Sequence, residues 1–177
     1  MNEISTIDAY GALVEPATLK LQRVLPGPVE RVWAYLTQSE LRRQWLASGD
    51  MELKAGAPFE LVWRNDELGD QPANRPEGFP EEQRMASEIV EVDAQRKISF
   101  TWQGSGDVSI ELTPQGADVL LTIIHRRLPD RATLVMVAAG WHMHLDILGA
   151  VSNGKKAPGF WPGWAALRDD YDRRLPA

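Results

Sequence analysis

Three histidines are the side chains of this 177-residue chain best suited to proton transfer near neutral pH. His142 and His144 stand two apart in a stretch of helical pattern, about 200° apart around the axis. They cannot grip one metal together from that helix, because i and i+4 spacing would be needed. His142 and Asp146 do have that spacing, so the carboxylate can orient the ring through a local hydrogen bond. His125 closes a strand-like run on the parity of Val119 and Leu121. Facing a cavity, it would be a polar group in an apolar wall, able to orient a ligand or act as a base. At the rim of a sheet it would instead touch water.

Other chemistries lack their residues. With no cysteine there is no thiolate nucleophile, no thiolate metal site and no disulfide framework. Gly-x-x-x-x-Gly-Lys-Ser/Thr is missing: Lys156 stands where the Ser/Thr is needed, and Gly154-Lys155-Lys156 lacks the strand context of a phosphate loop. Gly104-Ser105-Gly106 reads as a hairpin turn, since the strand-to-helix context of a nucleophile elbow is absent. Glu88 and Glu91 lie three apart in a strand and point to opposite faces, so they are no glycosidase pair. No metal and no cofactor is expected. The remaining inventory is aromatic: seven tryptophans, high for this length, each needing a surface to bury against.

Charge and composition narrow the partners. The net charge is −6, and the pairs Arg42–Arg43, Lys155–Lys156 and Arg173–Arg174 are isolated. They read as solvated surface, without the basic stripe of a nucleic-acid binder. Residues 1–10 lack the basic and apolar regions of a secretory signal. The longest apolar-rich run, Ala132–Ala139, is too short to span a bilayer. The expectation is a cytoplasmic protein without membrane insertion.

The elements that position these side chains follow from periodicity. Thr18–Leu25 alternates as a strand and stops at Pro26-Gly27-Pro28. Pro28 suits the first position of a short helix with Val29, Val32, Trp33 and Leu36 on one face. Ser39 suits the N-cap of a second short helix carrying Leu41, Trp45 and Leu46. Met51–Lys54 reads as a strand, as do the runs containing Phe59, Leu61 and Trp63 and then Ser87–Val92. Ile98, Phe100 and Trp102 mark another, Val108, Ile110 and Leu112 the next, and Val119–Arg126 the last. The short turns between the later strands imply antiparallel pairing. Asn65–Glu82, rich in proline and charge, reads as a long surface loop of the kind that gates a site. From near Asp130 to about Val151 a long helix carries Leu134, Val137, Ala138, Trp141, Leu145 and Leu148 on one stripe. The tail Lys155–Gly163 is broken by proline and glycine, with a final short helix or set of turns over Ala165–Leu175. The whole is read as one α+β domain, residues 1–177, with a core at about 17–151 and a C-terminal extension at 152–177.

Three segments carry a resemblance. "LKLQRVLPGPVERVWAYLTQSELRRQWL", with Val32-Trp33 and Trp45, is similar to the opening of the bacterial family named after the activator of the heat-shock-protein-90 ATPase. "RKISFTWQ" resembles that family's central strand and "GWHMHLDILGAV" its C-terminal helix. The family belongs to the START-like, or SRPBCC, superfamily. The resemblance implies a helix-grip fold: a curved antiparallel sheet of six or seven strands around the long helix, with two short helices after the first strand. It also implies a cavity between sheet and helix, lined by Leu61, Trp63, Phe100, Trp102, Ile110, His125, Trp141 and Leu145; the alternative is that the rings fill that space and leave no pocket.

Three functions then stand open. The first is non-enzymatic binding of a small hydrophobic molecule in that cavity, with Asn65–Glu82 near its mouth. The second is a cyclase- or dehydratase-like enzyme in the same cavity, with His125 the candidate for catalysis. The third is a protein-interaction or chaperone-regulator module presenting Phe160, Trp161 and Trp164, or a homodimer formed through the tail; the alternative is that these three residues simply pack the tail onto the domain. The eukaryotic activator carries an additional N-terminal domain for chaperone contact. Little chain precedes the first expected strand here, which argues against that role.

Overall fold

Alternating side chains and short turns produce one antiparallel sheet, seen here in a computed structural model that describes residues 7–69, 75–103 and 106–176. Its strands are β1 (Ala12–Glu15), β2 (Thr18–Pro26), β3 (Pro58–Trp63), β4 (Gln83–Asp93), β5 (Lys97–Thr101), β6 (Asp107–Gln115) and β7 (Asp118–Arg126). The spatial order is β1-β2-β7-β6-β5-β4-β3. The helices are α1 (Val29–Thr37), α2 (Ser39–Arg42), α3 (Arg131–Ser152) and α4 (Phe160–Arg174).

Register decides which side chains face inward. Leu19 pairs with His125 and Leu21 with Ile123 across β2 and β7. Across β6 and β7, Val108 meets His125, Ile110 meets Ile123 and Leu112 meets Leu121. Phe100 opposes Val108 on β5, and Ile89 opposes Phe100 on β4. All of these are buried, each large apolar side chain contributing about 1.5–3 kcal/mol. A one-residue slip would turn the whole set to solvent, so this face fixes the pairing.

α3 packs on that face. Asp130 caps it, its carboxylate accepting from the Thr133 N–H at 2.7 Å. The expected stripe is buried at Leu134, Ala138, Trp141, Leu145 and Leu148. The opposite side is buried too, at Val135, Ala139, Met143 and Ile147, because α4 lies on it. α3 is long and apolar enough in composition to cross a membrane, a property hidden when only the run Ala132–Ala139 is counted. It is nevertheless mostly buried inside the protein, as a core helix is.

Several expectations need correction. Met51–Lys54 is no strand: Ser48 occupies the free edge of β3, exchanging two 3.0 Å backbone hydrogen bonds with Val62. Gly49, at φ +134°, allows that approach, since a Cβ there would lie 1.9 Å from the Glu60 carbonyl oxygen. A short strand, β1, precedes the first expected one. Its mostly exposed side chains give no alternation to read.

Caps and tail also shift. Pro28 is the N-cap of α1 rather than its first residue, and Gln38, not Ser39, caps α2. The Ser39 hydroxyl instead accepts from the Gly49 N–H at 2.8 Å. The last helix starts at Phe160, not Ala165, with Pro162 in its first turn. There a missing N–H leaves no bond unmade.

Arg42 is not surface. It is 2% exposed, and its guanidinium donates to the backbone carbonyls of Leu36, Ala47 and Gly49. Burial pulls its pKa down to about 10, so it stays charged at neutral pH. It ties the end of α1 to the loop entering β3. Phe160, Trp161 and Trp164 are buried against the domain and present no exposed patch.

Candidate binding cavity

Between the β3–β5 end of the sheet, the middle of α3 and the start of α4 lies a cavity of about 440 Å³. α3 supplies Val137, Gly140, Trp141 and His144, whose spacing places them along one helix face. Gly140 leaves open space: a Cβ there would meet nothing within 4 Å. The sheet side supplies Trp63, Met85 and Trp102. α4 supplies Phe160, Trp161 and Trp164, and the loop after β3 adds Asn65 and Phe79.

The rings form two groups. Trp102 lies between Trp63 at 5.5 Å and Trp141 at 5.4 Å. Phe79 lies against Trp161 at 5.1 Å and Trp164 at 5.3 Å, and Phe160 meets Trp161 at 5.0 Å. Tilted and edge-on contacts of this kind suit ring quadrupoles. Three indole N–H groups anchor the walls: Trp161 donates to Asp66 at 2.8 Å, Trp164 to the Met136 carbonyl at 3.4 Å, and Trp141 to Nδ1 of His125 at 3.1 Å.

That last bond defines His125. An indole N–H can only donate, so Nδ1 accepts and the proton of the neutral ring sits on Nε2. His125 is wholly buried, 5.1 Å from the Trp102 ring, and is not at a wet rim. It supports the two wall indoles rather than lining the cavity itself.

His144 has the opposite tautomer. Its Nδ1 lies 2.8 Å from the Trp45 carbonyl oxygen, which can only accept, so Nδ1 carries the proton. Burial pushes its pKa down to about 4, against the small upward effect of that carbonyl. The ring is therefore neutral at pH 7. It packs on Phe160 at 4.6 Å.

Polarity is graded around the space. Gln83, Arg84 and Gln103 are exposed at its rim, Asn65 is half-buried, and His144 is the buried polar residue of the wall. Arg84 is engaged by Glu60 at 2.8 Å and Glu82 at 2.9 Å.

Trp63, Trp102 and Trp141 thus lie together on the cavity. Leu61, Phe100 and Ile110 line a separate void of about 10 Å³, closed by Leu36, Trp45 and Phe59, with room for about one water. Leu145 is fully buried in the core and lines neither space. Sequence reasoning missed His144 as a wall residue, along with the whole α4 side. The one available signal was the aromatic cluster Phe160, Trp161 and Trp164. Away from the cavity, His142 hydrogen-bonds Tyr171 at 2.9 Å and meets Asp146 at 3.4 Å, as their spacing suggests.

A family described as activator of Hsp90 ATPase homolog 1-like protein matches residues 26–153. The chain belongs to this family. Among solved structures, a protein of Bordetella parapertussis is 34% identical, with 100% of this chain and 97% of that one covered, at TM-score 0.80. CalU16 of Micromonospora echinospora is 21% identical, with coverage of 88% and 86% and TM-score 0.65. A conserved protein of unknown function from Enterococcus faecalis is 16% identical, with coverage of 90% and 86% and TM-score 0.69. The latter two share the fold. No curated protein matches the chain. The part of the chain that matches the activator-homologue family ends before Phe160, so the α4 wall lies outside it.

Proposed function

We propose that this activator-homologue-like protein binds a small, flat, largely apolar molecule in the cavity between sheet, α3 and α4, without transforming it. The observation that carries the reading is a space of about 440 Å³ walled by five tryptophans and two phenylalanines, with most of its polar side chains at the rim. Ligand pockets commonly measure about 300–1,000 Å³ and have this mostly apolar lining. The loop residues Asn65 and Phe79 on the wall support a role for that loop at the mouth.

Acid–base catalysis has weaker support. His144, the histidine on the wall, has a pKa of about 4, far below the neutral range that suits a general base. His125 stands behind the indoles.

The test is thermal unfolding with a panel of planar aromatic compounds, alongside native mass spectrometry of freshly purified protein. A ligand at a hundredfold excess over Kd adds about 2.7 kcal/mol, or roughly 5–10 °C in Tm for a chain of this size. Gly140→Leu, which projects a side chain into the open space, should fold and lose the shift. A panel without any shift, and a bare mass, would sink the proposal.

A further inference from the structure

His144 is 6% exposed and lines the wall. Its Nδ1–H is committed to the Trp45 carbonyl. The two nitrogens of an imidazole point in divergent directions, so Nε2 turns away from that carbonyl. Nε2 carries a lone pair and, among the described residues, has no hydrogen-bond partner. A guest that covers this acceptor without donating to it leaves it unsatisfied, which is costly. A second acceptor, the side-chain oxygen of Asn65, is buried without a partner on the same cavity's lining.

The charges at the rim set the other condition. Arg84, the cationic side chain of the lining, is held between Glu60 and Glu82. Arg64 is likewise paired with Glu82 and Glu67. A carboxylate or phosphate on the ligand would meet carboxylates already holding these guanidinium groups. The wall itself offers aromatic faces, which suit a flat ring.

We infer that the occupant is a neutral aromatic molecule bearing a hydroxyl group, whose O–H donates to Nε2 of His144. This deepens the binding proposal and rests on it. His144 is then the residue that selects hydroxylated rings over their ethers, because an ether cannot donate and leaves Nε2 unsatisfied.

The experiment compares 2-naphthol with 2-methoxynaphthalene by isothermal titration of the full chain. The naphthol should bind about five- to tenfold more tightly, the size of one neutral hydrogen bond. His144→Phe should bring the naphthol down to the affinity of the ether and leave the ether unchanged. With 15N-labelled histidine in the unaltered protein, the Nε2 resonance of His144 should move on adding 2-naphthol and stay in place with the ether. That measurement decides the matter if the variant fails to fold. Equal affinities for the two compounds would overturn the hydroxyl preference while leaving the cavity proposal standing. A preference that survives His144→Phe, or an unmoved Nε2 resonance, would overturn the role of His144. Binding of neither compound would overturn both readings.

Discussion

His144 and His142 are each held neutral by burial, and this makes the protein acid-sensitive in a definite window. The pKa of His144 falls to about 4 and that of His142 is also lowered, burial outweighing the nearby Asp146 carboxylate. The unfolded chain, with ordinary histidines near 6.5, takes up protons that the folded one refuses. Stability is therefore complete above about pH 6.5 and drains away as the pH falls, by about 3 kcal/mol for His144 once pH 4 is reached. Glu82 and Asp130 are also lowered, by hydrogen bonds to Arg84 and to Thr133, so their losses come only below the ordinary carboxylate range. Urea midpoints at pH 7, 6 and 5 should fall steadily, and less steeply in His144→Gln. A flat profile down to pH 5 would refute the neutral-histidine assignment. Arg42 makes the opposite point about single residues. It stands beside Arg43 in the sequence and looks the same, yet only Arg42 turns inward to collect three carbonyls.

At the level of elements, the α3–α4 seam builds the cavity's second wall. Gly163 lets the helices approach: a Cβ there would lie 2.4 Å from the sulfur of Met143. Gly163→Val should destabilise the fold by about 1–3 kcal/mol, read as a lower thermal midpoint, and weaken ligand binding as α4 lifts. An unchanged midpoint would mean the seam has slack. This seam is also where the sequence was least readable. The stripe from Leu134 to Leu148 shows because a helix pressed on a sheet repeats every 3.6 residues. The burial of Val135, Ala139 and Met143 breaks that pattern, and its cause lies more than fifteen residues further on. Pro162-Gly163 reads as a helix breaker, although proline is harmless in a first turn. β5 to β7 were legible because their faces alternate cleanly and their turns are short. β1 was not, because an edge strand with one partner and exposed side chains has little to alternate. Trp63, Trp102 and Trp141 could be found on stripes. His144 could not, since its role depends on the Trp45 carbonyl, which only the tertiary fold brings to it.

The molecule as a whole is a sheet gripping a buried helix, closed on the far side by a second one. The cavity between them carries most of its polar side chains at the rim and its rings on the walls. Five of its seven tryptophans surround one space, and their neighbours stand 5.4–5.7 Å apart with planes inclined by 52–87°. Chromophores that close and that skewed share their excited states. The protein should therefore show a strong near-ultraviolet circular dichroism signal from coupled indoles. Trp102→Phe, which removes the ring between Trp63 and Trp141, should diminish that signal while the amide infrared band of the backbone stays the same. A spectrum insensitive to the substitution would show the indoles to be uncoupled. The same rings that would hold a guest thus give the protein an intrinsic optical signature, in which occupancy of the interior can be read without a label.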